Sequence, residues 1–140
     1  MNESVRSAIQ ERVKTEPFAQ ALHMELVGLD TGFSAVEMTY EPSHMDNFYN
    51  RAHGGAIFAL IDEAFETVGQ TDGTIGVALN VNVTYISSPD PGTRLRAEAR
   101  EVAQTRKTAT YSITVMEKGG RLIAFCQALL YKTGKPIPFL

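Results

Sequence analysis

The sequence predicts an α+β domain in which one long helix lies against an antiparallel sheet of about six strands. Three observations carry that expectation. From Ala56 onward, Ile57, Leu60, Ile61, Ala64, Phe65 and Val68 share one helical face at roughly 100° per residue, a broad apolar stripe that must be buried. Beyond it the chain turns to alternating, β-branched segments such as IGVALNVNVTYIS over residues 75–87. Turn signals punctuate the chain at Asp30-Thr31-Gly32, Pro89-Asp90-Pro91-Gly92 and Gly119-Gly120. One long helix beside consecutive strands closes a core by packing on their sheet.

Each element follows from local pattern. Val5, Ile9 and Val13 recur at i, i+4, i+8, so residues 4–14 are expected to be helical. Pro17 interrupts that pattern, and a shorter helical piece over 18–22 completes an N-terminal helical segment. Residues 24–40 read as a hairpin around Asp30-Thr31-Gly32, with Val36, Met38 and Tyr40 alternating with Ala35, Glu37 and Thr39. Residues 42–51 are polar and turn-rich, a loop. The long helix follows and is expected to end near Gly69 or Gly73. Strands are then expected over 75–87, 95–104, 108–118 and 122–132, the last two joined through Gly119-Gly120. Neither an internal repeat nor a low-complexity stretch interrupts residues 1–140, so one domain is expected.

Composition narrows the functional classes. The 140 residues are 44% apolar and 21% charged, values of a globular chain, and the formal net charge of −3 does not draw in nucleic acid as a whole. Any anionic ligand would therefore need a local basic patch. Cys126, the lone cysteine, sits in an apolar run and reads as a small buried hydrophobe. His23, His44 and His53 show no ligand spacing with it, so no metal site is expected. The charged N-terminal stretch lacks the apolar core of a signal peptide and no run of about 18 apolar residues occurs, so a cytoplasmic protein without a membrane span is expected.

The chemistry-bearing stretch is NRAHGGAIFALIDEAFE, residues 50–66. Asp62 lies just past the edge of the apolar stripe, beside Phe58, with Glu63 nearly opposite and Glu66 one turn on. Alone, it reads as a solvated flank residue. His53-Gly54-Gly55 opens the helix with two glycines that carry no capping side chain, leaving N–H groups at the positive end of the dipole. Such N–H groups polarise a carbonyl oxygen as an oxyanion hole does, although two glycines serve close helix–sheet packing equally well. Asp62 follows His53 by nine residues, about 12 Å of axial rise, too far for one compact site on one helix. An antiparallel second copy would bring Asp62 to the Gly54 end of its partner, which suggests a dimeric active site.

HGGAIFALIDEAF, the upstream Asn47 and the downstream NVNVTYISSPDPG together resemble the hotdog-fold thioesterases, most closely the phenylacetate-degradation (PaaI-type) acyl-CoA thioesterases. The resemblance runs in order from residue 24 to residue 131. It implies a long helix wrapped by an antiparallel sheet, a side-by-side homodimer that forms the active site, commonly a homotetramer, and hydrolysis of acyl-CoA without metal or other cofactor, coenzyme A being part of the substrate. It implies Asp62 as nucleophile or general base, the Gly54 N–H as the group polarising the thioester carbonyl with His53 beside it, and Asn47 positioning water or substrate. Asn50 and His44 share the loop of Asn47, which is chosen because its spacing to His53 fits the family. Some relatives carry Ser or Thr near Ala78, a hydroxyl absent here. Phe58 and Phe65 flank Asp62 and would desolvate it. Gly55, Phe58, Phe65, Tyr85, Arg106 and Lys107 are the expected substrate contacts, the last two in the 104–108 turn near the nucleotide. With Phe48 and Tyr49, these aromatics suit a small aryl or medium-chain acyl group.

Competing readings differ in what they require. A hotdog hydratase or dehydratase would place its His and acid differently. A non-catalytic acyl-CoA-binding protein would keep the pocket and lose the acid, often beside a DNA-binding domain for which the residues before Met24 are too few. A structural domain needs no ordered HGG…Asp pair. The expected function is thioester hydrolysis.

Overall fold

The computed structural model describes Met1–Leu140. Helices α1 (Glu3–Val13) and α2 (Pro17–Ala21) lead into strands β1 (Glu25–Asp30) and β2 (Phe33–Thr39). Helices α3 (Pro42–Met45) and α4 (Gly54–Val68) follow, then β3 (Thr74–Tyr85), β4 (Arg94–Gln104), β5 (Thr108–Glu117) and β6 (Leu122–Pro136). The six strands form one sheet in the order β1-β2-β4-β5-β6-β3, antiparallel throughout. Helix α4 lies across its concave face, touching every strand. This is the hotdog fold.

Local chemistry explains the elements. Asn2 caps α1 by accepting from the Ser4 and Val5 N–H groups, and Val5, Ile9 and Val13 are buried as their spacing predicts. Pro17 does not merely end a helix; it occupies the first turn of α2, where its missing N–H costs nothing. The β1–β2 hairpin turns through Gly32 at φ +66°, a conformation that favours glycine. All six stripe residues of α4 are buried, against Val36, Met38, Leu95, Ala97, Ile113 and Val115 among others in one core. Phe65 meets Tyr111 edge-on at 5.5 Å between ring centroids.

Two expectations need correction. Residues 42–51 are not all loop, because Pro42 starts the one-turn helix α3. Strand β6 runs four residues past 132, to Pro136, because Thr74 pairs with Pro136 beyond a register shift. Gly134 and Pro136 disguise that extension, which rests on a partner strand and not on β-propensity. In β3 the parity is as read: Val81, Val83 and Tyr85 stand opposite Ala128, Cys126 and Ala124, while Asn80, Asn82 and Thr84 take the other face.

The close of α4 on β3 depends on Gly76. A Cβ there would sit 2.7 Å from both methyls of Leu130 and 2.8 Å from the Gly69 carbonyl oxygen, and the backbone oxygen has no rotamer by which to retreat. Gly76→Ala is expected to cost about 2 kcal/mol in urea unfolding, whereas Gly92→Ala, which meets no atom, loses only the price of its positive φ.

Candidate active site

The predicted residues fall into two groups at opposite ends of α4. At its N-terminus, His53 is the N-cap in extended conformation and its Nδ1 accepts the Gly55 N–H at 2.9 Å. A neutral ring that accepts at Nδ1 carries its proton on Nε2, so the exposed edge of His53 is a donor. The expectation of two uncovered N–H groups is thereby corrected: Gly55 is capped, and the Gly54 N–H alone has no partner in the chain. Sequence reading missed this because histidine is not among the usual capping residues. The Tyr85 hydroxyl donates to the Gly54 carbonyl at 3.1 Å, joining the end of β3 to this corner.

Asn47 is an organiser of the loop that leads here. Its Oδ1 accepts the Tyr49 and Arg51 N–H groups at 2.8 and 3.2 Å, and Asn50 completes the turn at φ +56°. The side-chain NH₂ of Asn47 makes no bond within the chain, and it is the part left to meet a ligand. His44 is instead engaged with Glu41 at 3.2 Å and with Ser43, and Asn50 serves the turn. Phe48 and Tyr49 are 88% and 73% exposed at the loop tip, their rings 4.5 Å apart, so neither is core.

Asp62 lies at the other end, in a cavity of about 260 Å³ lined by Phe65, Glu66, Gln70, Val77, Ala78 and Leu130, among others. Its carboxylate makes no ion pair, and desolvation by the surrounding walls raises its pKa above the ordinary aspartate value. Ala78 does face this cavity, so the missing hydroxyl would have stood beside Asp62. Of the two flanking aromatics, Phe65 is a cavity wall and a core residue at once, while Phe58 is partly exposed one turn earlier. The Gln70 side chain, which the sequence did not single out, is held by both the N–H and the carbonyl of Gly76.

Arg106 and Lys107 occupy an exposed turn at the Asp62 end. Lys132, opposite Gly76 in the sheet, donates its N–H to the Lys107 carbonyl at 2.8 Å, and Gly76 lines the cavity. One chain therefore holds a carboxylate in a half-apolar cavity at one end, with cations nearby, and a free N–H with Asn47, His53 and Tyr85 at the other. Its free edge, β3, exposes Val77 (48%) and Leu79 (57%).

The His53 cap is separable from any chemistry at its Nε2. His53→Ala is expected to lower the unfolding free energy by about 1 kcal/mol, and His53→Asn, which restores a capping oxygen, to recover most of it in urea titrations.

Comparison with known proteins gives the family. Residues 49–124, which hold His53, Gly54, Asp62, Tyr85, Arg106 and Lys107 but not Asn47 or Leu130, match the thioesterase superfamily. A protein of Archaeoglobus fulgidus is 33% identical over 95% of this chain and 89% of its own. The acyl-coenzyme A thioesterase PaaI of Escherichia coli is 28% identical over 85% of this chain and 84% of its own. Its structure, from the phenylacetic acid degradation operon, matches at a TM-score of 0.90, covering 96% of this chain and 97% of that one at 24% identity. A mutant of the phenylacetic acid degradation protein PaaI of Thermus thermophilus matches at a TM-score of 0.78 and 34% identity, over 83% of this chain and 98% of that one. No helix here is long and apolar enough to cross a membrane. A hotdog fold carrying these residues in this order makes the chain a member of the thioesterase superfamily and an enzyme of the thioester-hydrolase type.

Proposed function

We propose that the chain hydrolyses a small aryl- or medium-chain acyl-CoA to free acid and CoA at a site shared between two copies. The observation that carries this reading is the pairing of one unpartnered N–H, Gly54, with one desolvated carboxylate, Asp62, at opposite ends of the same helix. Antiparallel docking of two β3 edges covers Val77 and Leu79 and sets the Asp62 end of one copy against the Gly54 end of the other. The similarity to an acyl-coenzyme A thioesterase supports the substrate class.

In this site the thioester oxygen lies on the Gly54 N–H, where the helix dipole adds to the hydrogen bond as negative charge builds. Acting as base, Asp62 takes a proton from water while the water oxygen adds to the carbonyl carbon. The tetrahedral adduct collapses, the C–S bond breaks, and the thiolate of CoA leaves and is protonated. Acting as nucleophile, Asp62 forms an acyl anhydride that water then opens, with the same products. The Asn47 NH₂ and His53 Nε2–H orient water or substrate, and Arg106, Lys107 and Tyr85 receive the nucleotide end. Phe58 and Phe65 border the acyl group.

Thiol release from phenylacetyl-, hydroxybenzoyl- and hexanoyl-CoA tests the activity. Asp62→Asn is expected to lower kcat about 10³-fold with little change in KM. The raised pKa of Asp62 puts the acid limb of kcat/KM above the range of a free aspartate: activity disappears as pH falls through that pKa, because the protonated form cannot act. Equal turnover in the Asn variant would remove Asp62 from the mechanism, and CoA binding without turnover on any thioester would make the chain a binding protein.

Gly54→Pro isolates the other half. Gly54 is the first residue of α4 after an extended His53, the position that tolerates proline, so the change deletes one N–H and keeps the helix, with the Tyr85 ring, 3.3 Å from the added Cβ, giving by a few tenths of an ångström. It is expected to reduce kcat about 10²- to 10³-fold. Mixed after unfolding and refolding together, the two inactive variants should regain about a quarter of wild-type activity, since half the dimers are mixed and each holds one intact site. A site within one chain regains none.

A further inference from the structure

Behind the catalytic end of α4, on the side turned to the N-terminal helices, lies a second set of carboxylates that the proposed reaction does not use. Glu63 and Glu66, three residues apart on α4, meet Glu16 of the α1–α2 connection, and one oxygen from each lies within 4.8 Å of the others. Glu63 is only 3% exposed, and its Oε1 has no hydrogen-bond partner. Glu16 holds the N-cap position of α2 but makes no capping bond, and its carboxylate turns instead to a hydrogen bond with that of Glu63. None of the three enters an ion pair. Arg12, the cation that acts on Glu16 and Glu66, has its guanidinium 5.9 Å above the Phe139 ring.

A buried carboxylate surrounded by others needs a positive charge or a proton. Burial first, then Glu16 and Glu66, push the Glu63 pKa up to about 8, so at neutral pH Glu63 keeps a proton, which a cation entering the cluster displaces. The donor set chooses among cations. Two oxygens on one Ca²⁺, at 2.3–2.6 Å each, stand at most about 5 Å apart, whereas Mg²⁺ at 2.0–2.1 Å draws them to about 4.2 Å or less. Separations within 4.8 Å admit one ion, the all-oxygen donor set suits a hard one, and carboxylates drawn from two elements, with Glu66 exposed, suit the flexible coordination of Ca²⁺ better than the near-ideal octahedron of Mg²⁺. Water fills the remaining positions from a cavity of about 370 Å³ that Glu16 and Glu66 line together with Arg12, Gln70 and Phe139.

We propose that Glu16, Glu63 and Glu66 form a calcium-sized divalent cation site that fastens the N-terminal helices onto the back of α4. A reading based on Cys and His spacing has no means of finding it, since position 16 joins 63 and 66 only in the fold. The ion is structural; because Glu66 also lines the Asp62 cavity, the test reads folding stability and ion binding and not turnover.

Chelator-treated protein is melted with CaCl₂, MgCl₂ or NaCl at matched ionic strength. Calcium at about 10 mM is expected to raise Tm by about 5 °C over NaCl, magnesium by less than half of that. Titration calorimetry with CaCl₂ should give one ion per chain. Glu63→Gln and Glu16→Gln, both near-isosteric, should each abolish the calcium shift, and either one folding suffices for the comparison. No calcium shift over NaCl in the wild type overturns the proposal and leaves shared protons as the compensation. An equal shift in a folded Gln variant places the ion elsewhere and overturns it too, as does a magnesium shift equal to that of calcium.

Discussion

Eight residues of α-helix separate Gly54 from Asp62, and a rigid helix holds them about 12 Å apart. The proposed reaction depends on that separation. The N-terminus of α4 offers a dipole and a free N–H; its C-terminal half offers a carboxylate beside an apolar wall. Neither alone polarises and attacks a thioester. Bending the helix is not available, because its stripe is locked into the core by Leu60, Ile61, Ala64 and Phe65. The chain instead ends its sheet on β3, a twelve-residue edge strand that runs from the Asp62 cavity at Gly76 to the Gly54 corner at Tyr85. A two-fold axis at the middle of such an edge exchanges its ends.

The same strand explains why exposure in one chain says little about exposure at work. Asp62 is open to solvent on one side, yet Phe65, Val77, Ala78 and Leu130 already desolvate it. Covering the Val77–Leu79 edge removes more water and strengthens both the basicity of Asp62 and its attraction for a proton. The useful range is bounded: too little desolvation leaves a weak base, too much leaves a neutral acid.

Much of this was legible in sequence, and the limits are physical. The α4 stripe was legible because one amphipathic pattern sustained over four turns has no other solution, and β2 to β5 because alternation and turn residues agree. The β6 extension and α3 were not, since each depends on a partner or a proline start and not on periodicity. The HGG…Asp pattern supplied the candidate groups of the proposed site, and helix rise keeps Gly54 and Asp62 about 12 Å apart within one chain. What no pattern revealed was which N–H remains free. That turns on the His53 ring folding back on Gly55, a single hydrogen bond of 2.9 Å.

Glu63 shows the complementary failure. A charged residue away from an apolar stripe reads as solvated, but α4 is covered on both sides: the sheet takes Leu60 and Phe65, and the N-terminal helices cover the flank that holds Glu63 and Thr67. Thr67 meets this burial with the Ser34 hydroxyl at 2.6 Å and with carbonyls of its own helix. Glu63 has no such neutral partner. An apolar residue there would satisfy packing more cheaply, so the retained carboxylate, one residue from Asp62, is a constraint on what surrounds it. At neutral pH the raised pKa keeps a proton on Glu63, toward Glu16, and a divalent cation takes its place only by displacing it. Once one does, the feature that most destabilises the back of α4 becomes the contact that holds it rigid behind the catalytic end.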